Sequence, residues 1–201
     1  MKLAFILMSV ASCLLCLAGG CNKPSPSKMV DMAFNPLSTP DERREGINML
    51  ATNSWGRQEQ YLKGYATVLR LDTDPTVRSA AVKALAKSGN TAYVPQVAAA
   101  LEDKVVDVRR DAADALNKLV GPEAADPLRR HAAEDSDIDV RALCLRALQH
   151  YPCENTRQTL LRCLGDAQFT IRYPAHQSLV ALTGQDYGYN PEAWPDSQSG
   201  K

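Results

Sequence analysis

The chain has 201 residues, 45% of them hydrophobic but only 6% aromatic, with 23 basic and 23 acidic side chains. This is enough for one packed domain, and a formal net charge of zero argues against both a polycationic nucleic-acid surface and a chain kept unfolded by its own charge. Alanine and leucine dominate the apolar set, and strand-like alternation of Val, Ile, Tyr, Phe and Thr is missing, which favours close-packed helices over a sheet.

Residues 1–20 have the anatomy of a signal peptide: Lys2, an apolar run from Leu3 to Ala18, then Gly19 and Gly20. Leu17-Ala18-Gly19-Gly20-Cys21 resembles a bacterial lipobox, which implies cleavage before Cys21 and a lipid on that cysteine. Ala18 stands where such motifs more often carry leucine or valine, and ordinary secretion or an uncleaved anchor is the alternative. Residues 21–27 are then the lipidated cysteine and a short Pro-Ser-rich tether. Cys13 and Cys16 spell CxxC, but inside the apolar run, so a redox motif is not indicated. The mature part keeps Cys144, Cys153 and Cys163, an odd number that argues against a disulfide framework. Free thiols are expected, with Cys144 to Cys163 the one plausible bond, because Cys153 and Cys163 would lie roughly 15 Å apart along a helix.

Residues 28–56 read as a first helical pair. Met29, Val30, Ala33 and Phe34 share a face that Asn35-Pro36 breaks, and Ile47, Met49 and Leu50 give the second helix its apolar stripe.

From residue 57 to 182 the sequence repeats. Val77-Arg78, Val108-Arg109, Val140-Arg141 and Ile171-Arg172 recur every 31 or 32 residues. Asp72, Asp103, Asp135 and Asp166 precede these pairs at a constant distance. Ala81, Ala112, Cys144 and Ala175, then Ala84, Ala115, Ala147 and Ser178, then Leu85, Leu116, Leu148 and Leu179 follow at offsets of 4, 7 and 8, which trace one helical stripe. Each unit therefore reads as two helices, the second starting near the Val-Arg pair. Asp74-Pro75 and Asp126-Pro127 read as a cap followed by a first-turn proline, and Gly89, Gly121 and Gly184 as helix exits.

This pattern resembles HEAT repeats, on Pro95, Asp103, Val108 and Arg109 and again on Pro127, Asp135, Val140 and Arg141. The resemblance implies an all-α fold, a right-handed α-α superhelix of about five helical hairpins closed by an aromatic C-terminal cap. It also implies that Asp72, Asp103, Asp135 and Asp166 cap backbone amides at the inter-helix turns, while Arg78, Arg109, Arg141 and Arg172 reach aspartates to form a structural ladder. In the first pair Arg43 stands 35 residues before Arg78, but Leu37 occupies the matching aspartate position, so 28–56 is expected to be a degenerate capping repeat.

Residues 183–201 form the predicted C-terminal cap and tail, crowded with Tyr187, Tyr189 and Trp194. Thr183-Gly184-Gln185-Asp186, Gly188-Tyr189 and Trp194 resemble the closing segment of a group of bacterial HEAT-repeat lipoproteins. The three aromatics form either a hydrophobic lid or a patch for a partner.

Chemical motifs are sparse. Asp135-Ser136-Asp137-Ile138-Asp139 imitates the start of a calcium loop, but Val140 and Arg146 stand where glycine and glutamate are required. His131, His150 and His176 have no zinc-motif spacing; His150 aligns with Lys87 and Lys118 on a surface position, and His176 with Val82, Ala113 and Leu145. No catalytic residue, metal site or cofactor is assigned. Lys83, Lys87, Arg110, Lys118, Arg146 and His150 lie off the apolar stripe of the second helices and make a candidate face for an acidic segment of a protein partner. The expected function is a non-catalytic scaffold, lipid-anchored through Cys21 in the bacterial cell envelope and facing the periplasm or exterior, that binds another envelope protein and no nucleic acid. The alternative is an exported lyase-like or other enzyme module built on the same repeats.

Overall fold

The computed structural model describes residues 24–195; the predicted signal peptide, Cys21 and the last six residues lie outside them. The described residues contain helices and no strand, paired as α1 (Pro26–Phe34) with α2 (Pro40–Thr52), α3 (Glu59–Leu71) with α4 (Pro75–Ser88), and α5 (Val94–Ala99) with α6 (Val106–Leu116). The array continues with α7 (Ala125–Glu134) and α8 (Ile138–Ala147), then α9 (Glu154–Leu164) and α10 (Phe169–Thr183). None of these helices is long and apolar enough to cross a membrane.

The five hairpins stack into a solenoid because a two-helix unit cannot enclose its own apolar faces. The second helices α2, α4, α6, α8 and α10 pack in a continuous row, whereas α3, α5 and α7 touch one another more sparingly. That inequality curves the array and puts the second helices on the inner side. Every position of the recurrent stripe lies in the core: Val77, Val108, Val140, Ile171 and the four leucines are fully buried, and the small residues between them are at most 3% exposed. Small side chains let the helices approach closely. At the α1–α2 crossing the approach is closer still, and a Cβ on Gly46 would meet the backbone of Ala33 at 2.5 Å.

Local signals set most boundaries. Asp74 caps α4 by accepting from the amides of Thr76 and Val77, with Pro75 in the first turn. Gly89 and Gly184 end α4 and α10 in the left-handed conformation, at φ of 69° and 71°. Three expectations need correction. The tether is shorter than expected, because Ser25 caps α1 and Pro26 begins it. Asp126 is not a cap: a 3-10 turn at Pro122–Ala124 starts the helix earlier, so Asp126 and Pro127 fall within the first turn of α7, where amides lack helical partners anyway. Gly121 is extended rather than left-handed, at φ −165°; a Cβ there would press on Val94 at 2.9 Å.

Candidate functional site

The most charged residues of the repeat bond between units. Arg78 grips Asp103 through Nε and Nη2 at 2.7 and 2.8 Å, and Arg109 grips Asp135 at 2.9 Å through both. Arg141 reaches Asp166 through Nη2 at 2.9 Å. Each aspartate also accepts, at 2.9 Å, the backbone amide two residues on, from Asp74, Val105, Asp137 and Gln168. The turn therefore holds the carboxylate, and the preceding unit's guanidinium closes on it. Burial opposes ionisation of Asp135, yet the hydrogen bonds from Arg109, the Asp137 amide and His131 overcome it and hold the carboxyl at about 2. Asp103 is likewise pulled below the ordinary range, with Arg78 and the Val105 amide outweighing burial.

Two members of the ladder differ from the sequence reading. Arg43, in the pair read as degenerate, makes a full rung with Asp72 at 2.8 and 2.9 Å and donates to the Ser38 carbonyl. Arg172 has no aspartate ahead of it: Nη1 donates to the carbonyls of Asp166 and Ala167 at 2.9 Å, the guanidinium lies over the Phe169 ring, and no carboxylate among the described residues meets Nε or Nη2.

The inner face is a shallow groove between α2, α4 and α6, of about 450 Å³, lined by Arg44, Asn48, Ser79, Lys83, Arg110 and Asp111. Its expected basic character is largely neutralised from within. Lys83 pairs with Asp111 at 2.9 Å, Lys118 with Asp114 at 2.6 Å, and Arg110 sits among Asp107, Asp137 and Asp139. His150 bonds Asn117, while Lys87 and Arg146 are exposed.

One cluster was missed. On the outer side, between α5 and α7, His131 spans two carboxylates, with Nδ1 2.9 Å from Asp135 and Nε2 2.9 Å from Glu102, which Arg130 also contacts. The only signal in the sequence was the i, i+4 spacing of His131 and Asp135 across the helix end. It ties a rung to the neighbouring unit. Among the described residues no group of three or more His, Cys, Asp or Glu is arranged to hold a metal ion.

At the C-terminal end the aromatic tail folds back over α10. Trp194 is buried, donates Nε1–H to the Gly188 carbonyl at 2.9 Å, and meets Tyr187 edge-on. Tyr189 stacks on His176 at 4.4 Å between centroids. His176 is buried and paired with Asp186 at 2.7 Å, because the tail takes the place a further repeat would occupy over it. The three cysteines are free. Cys144 and Cys163 are buried, which pushes both thiols up. Cys153 is exposed at the start of α9; burial acts against its thiolate, but the Thr156 hydroxyl and amide and the nearby Arg129 win and lower its pKa.

Residues 63–149 match the sequence profile of the HEAT repeats family. Among curated proteins none matches. Among solved structures, the complex of CpcE and CpcF of phycocyanin lyase from Nostoc sp. PCC7120 is similar with a TM-score of 0.67 at 19% identity, over 87% of this chain and 71% of that one. A designed armadillo repeat protein in complex with the peptide (KR)4 is similar with a TM-score of 0.58 at 17% identity, over 78% of this chain and 80% of that one. At these identities the likeness is one of fold.

Proposed function

We propose that this HEAT-repeat solenoid is a non-catalytic scaffold, held to a membrane of the bacterial envelope by lipid on Cys21, whose task is to bind another envelope protein. The observation that carries this reading is where the repeat spends its charge. The aspartates and arginines that could have done chemistry close on one another between units, from Arg43–Asp72 to Arg141–Asp166. What they support is a rigid, curved row of second helices with an open groove, a surface suited to an extended protein segment. That row carries matched rather than one-signed charge, so recognition there rests on patterned pairing with a partner's acidic and basic groups. The test is affinity capture of the native protein from membranes, repeated with Lys83→Glu and Lys118→Glu. A partner lost on charge reversal and retained by wild type is expected; a chain that turns over a small molecule and retains no protein would replace the scaffold with the lyase-like alternative.

A further inference from the structure

We infer that the C-terminal end of the described solenoid is a stacking site, built to receive the aspartate-bearing inter-helix turn of a partner protein's helical hairpin on the edge of Arg172 that meets no carboxylate among the described residues. Three rungs, those of Arg43, Arg78 and Arg109, define what such an edge does; Arg141 turns Nε to the Ala132 carbonyl and reaches Asp166 through Nη2 alone. In Arg78 and Arg109, Nη1 is fixed by the carbonyl of the unit's own aspartate at 3.0 Å, and this aims Nε and Nη2 at the carboxylate of the following turn. Arg172 is held the same way, by the Asp166 and Ala167 carbonyls at 2.9 Å, and its Nε–Nη2 edge finds no carboxylate among the described residues. The side chain is thus preorganised for a bond it does not make, which lowers the entropic cost of accepting one.

The surroundings supply the apolar part. Phe169 and Tyr173 lie in contact at 5.8 Å, 55% and 50% exposed, with Arg172 over the Phe169 ring and Tyr189 against its other neighbour side at 5.8 Å. The described part of the folded-back tail covers His176 but leaves Phe169 and Tyr173 exposed. Phe169 and Tyr173 occupy the repeat positions of Pro75 and Ser79, and Ser79 bonds Asp111 of the next unit, so these are positions at which one repeat touches the next. A cation beside exposed aromatics calls for an anion with an apolar flank.

A second copy of this chain does not fit. Stacked head to tail, it would present Leu37, 91% exposed, at the position where each internal turn presents an aspartate. The occupant to which we commit is a different protein, and this surface on α10 is separate from the groove between α2, α4 and α6, so either can fail without the other.

The test uses the full chain carrying Leu37→Asp, which puts on its first inter-helix turn the aspartate that each internal turn presents, and compares its sedimentation with that of wild type. Concentration-dependent association of Leu37→Asp that wild type does not show is expected, weakened about tenfold or more by adding Arg172→Gln, as for loss of a charge-assisted pair. Adding Tyr173→Ser should weaken it too, and adding Lys63→Gln, on exposed α3, should not. Should Arg172→Gln fail to fold, Tyr173→Ser carries the comparison. Absence of association, or equal association with Arg172→Gln, overturns the inference. So does association that emerges only after residues 196–201 are removed, which would make the chain's own tail the occupant, or association of wild type that Arg172→Gln abolishes, which would make it a second copy.

Discussion

At the scale of single residues, the Arg–Asp bonds are the part of the molecule most exposed to substitution. Arg109 and Asp135 are nearly enclosed, with side chains 13% and 2% accessible, so Arg109→Ala leaves a carboxylate that has lost its main partner. A loss on the order of 1–3 kcal/mol is expected in urea unfolding. Arg172→Ala, which removes no ion pair among the described residues, should stay within about 0.5 kcal/mol of wild type. An equal cost for both would mean that the fork is not what stabilises the array. Asp135 also sets an acid limit. Its carboxyl sits at about 2 in the folded protein against about 3.9 unfolded, so its contribution is complete above the unfolded value and disappears as pH falls from about 4 toward 2. Asp135→Asn should therefore lower stability by on the order of 2 kcal/mol at neutral pH and flatten the acid limb of a melting-temperature profile, and an unchanged limb would exclude Asp135 as its source. The sequence showed these residues but not which arginine meets which aspartate. Arg43 was set aside because Leu37 stands where its unit's aspartate should be; the bond, however, runs forward to Asp72, so the first arginine needs no aspartate of its own and the last one meets no aspartate among the described residues.

At the scale of the helix and the hairpin, legibility followed the strength of the local signal. The buried stripe of the second helices was readable because offsets of 4, 7 and 8 can only share a face on a helix, and Asp74-Pro75 and Gly89 bracket α4 with independent chemistry. The first helices were less legible. Asp126-Pro127 looks like a start, but Pro122 begins a 3-10 turn and the chain is already helical at Ala125. The start of α2 was in the sequence and went unread: Thr39 and Glu42 form a reciprocal capping box around Pro40. The tail shows a different limit. Its aromatics announce burial or binding, and both occur, since Trp194 is buried while Tyr187 and Tyr189 stay 41% and 40% exposed. Nothing in the local pattern distinguishes these cases, because the decision lies in where the chain turns back over His176 of α10, a contact across the hairpin end rather than along it.

At the scale of the whole molecule, a stack held by nearest-neighbour bonds has two unlike ends. The first pair closes the array with Arg43 engaged and a leucine facing outward; the last pair closes it with an aromatic tail and an arginine that meets no carboxylate among the described residues. The proposed anchor belongs to the first end. Ser25 caps α1 only four residues after Cys21, so a lipid there would hold the N-terminal hairpin against the membrane and let the array, with its C-terminal end, project away from it. One acyl chain binds a bilayer only marginally, so durable retention requires more than one chain on Cys21. Cys21→Ser is expected to move the protein from the membrane pellet to the soluble fraction or to leave it unprocessed with its apolar leader attached. Cys163→Ser, a buried thiol bonded to the Ala132 carbonyl, is expected to leave the distribution unchanged and serves as the matched control. A Cys21→Ser chain that is cleaved and still pellets with membranes would show that retention comes from a protein contact, and the geometry in which the first hairpin lies at the bilayer and the last projects from it would fall with the anchor.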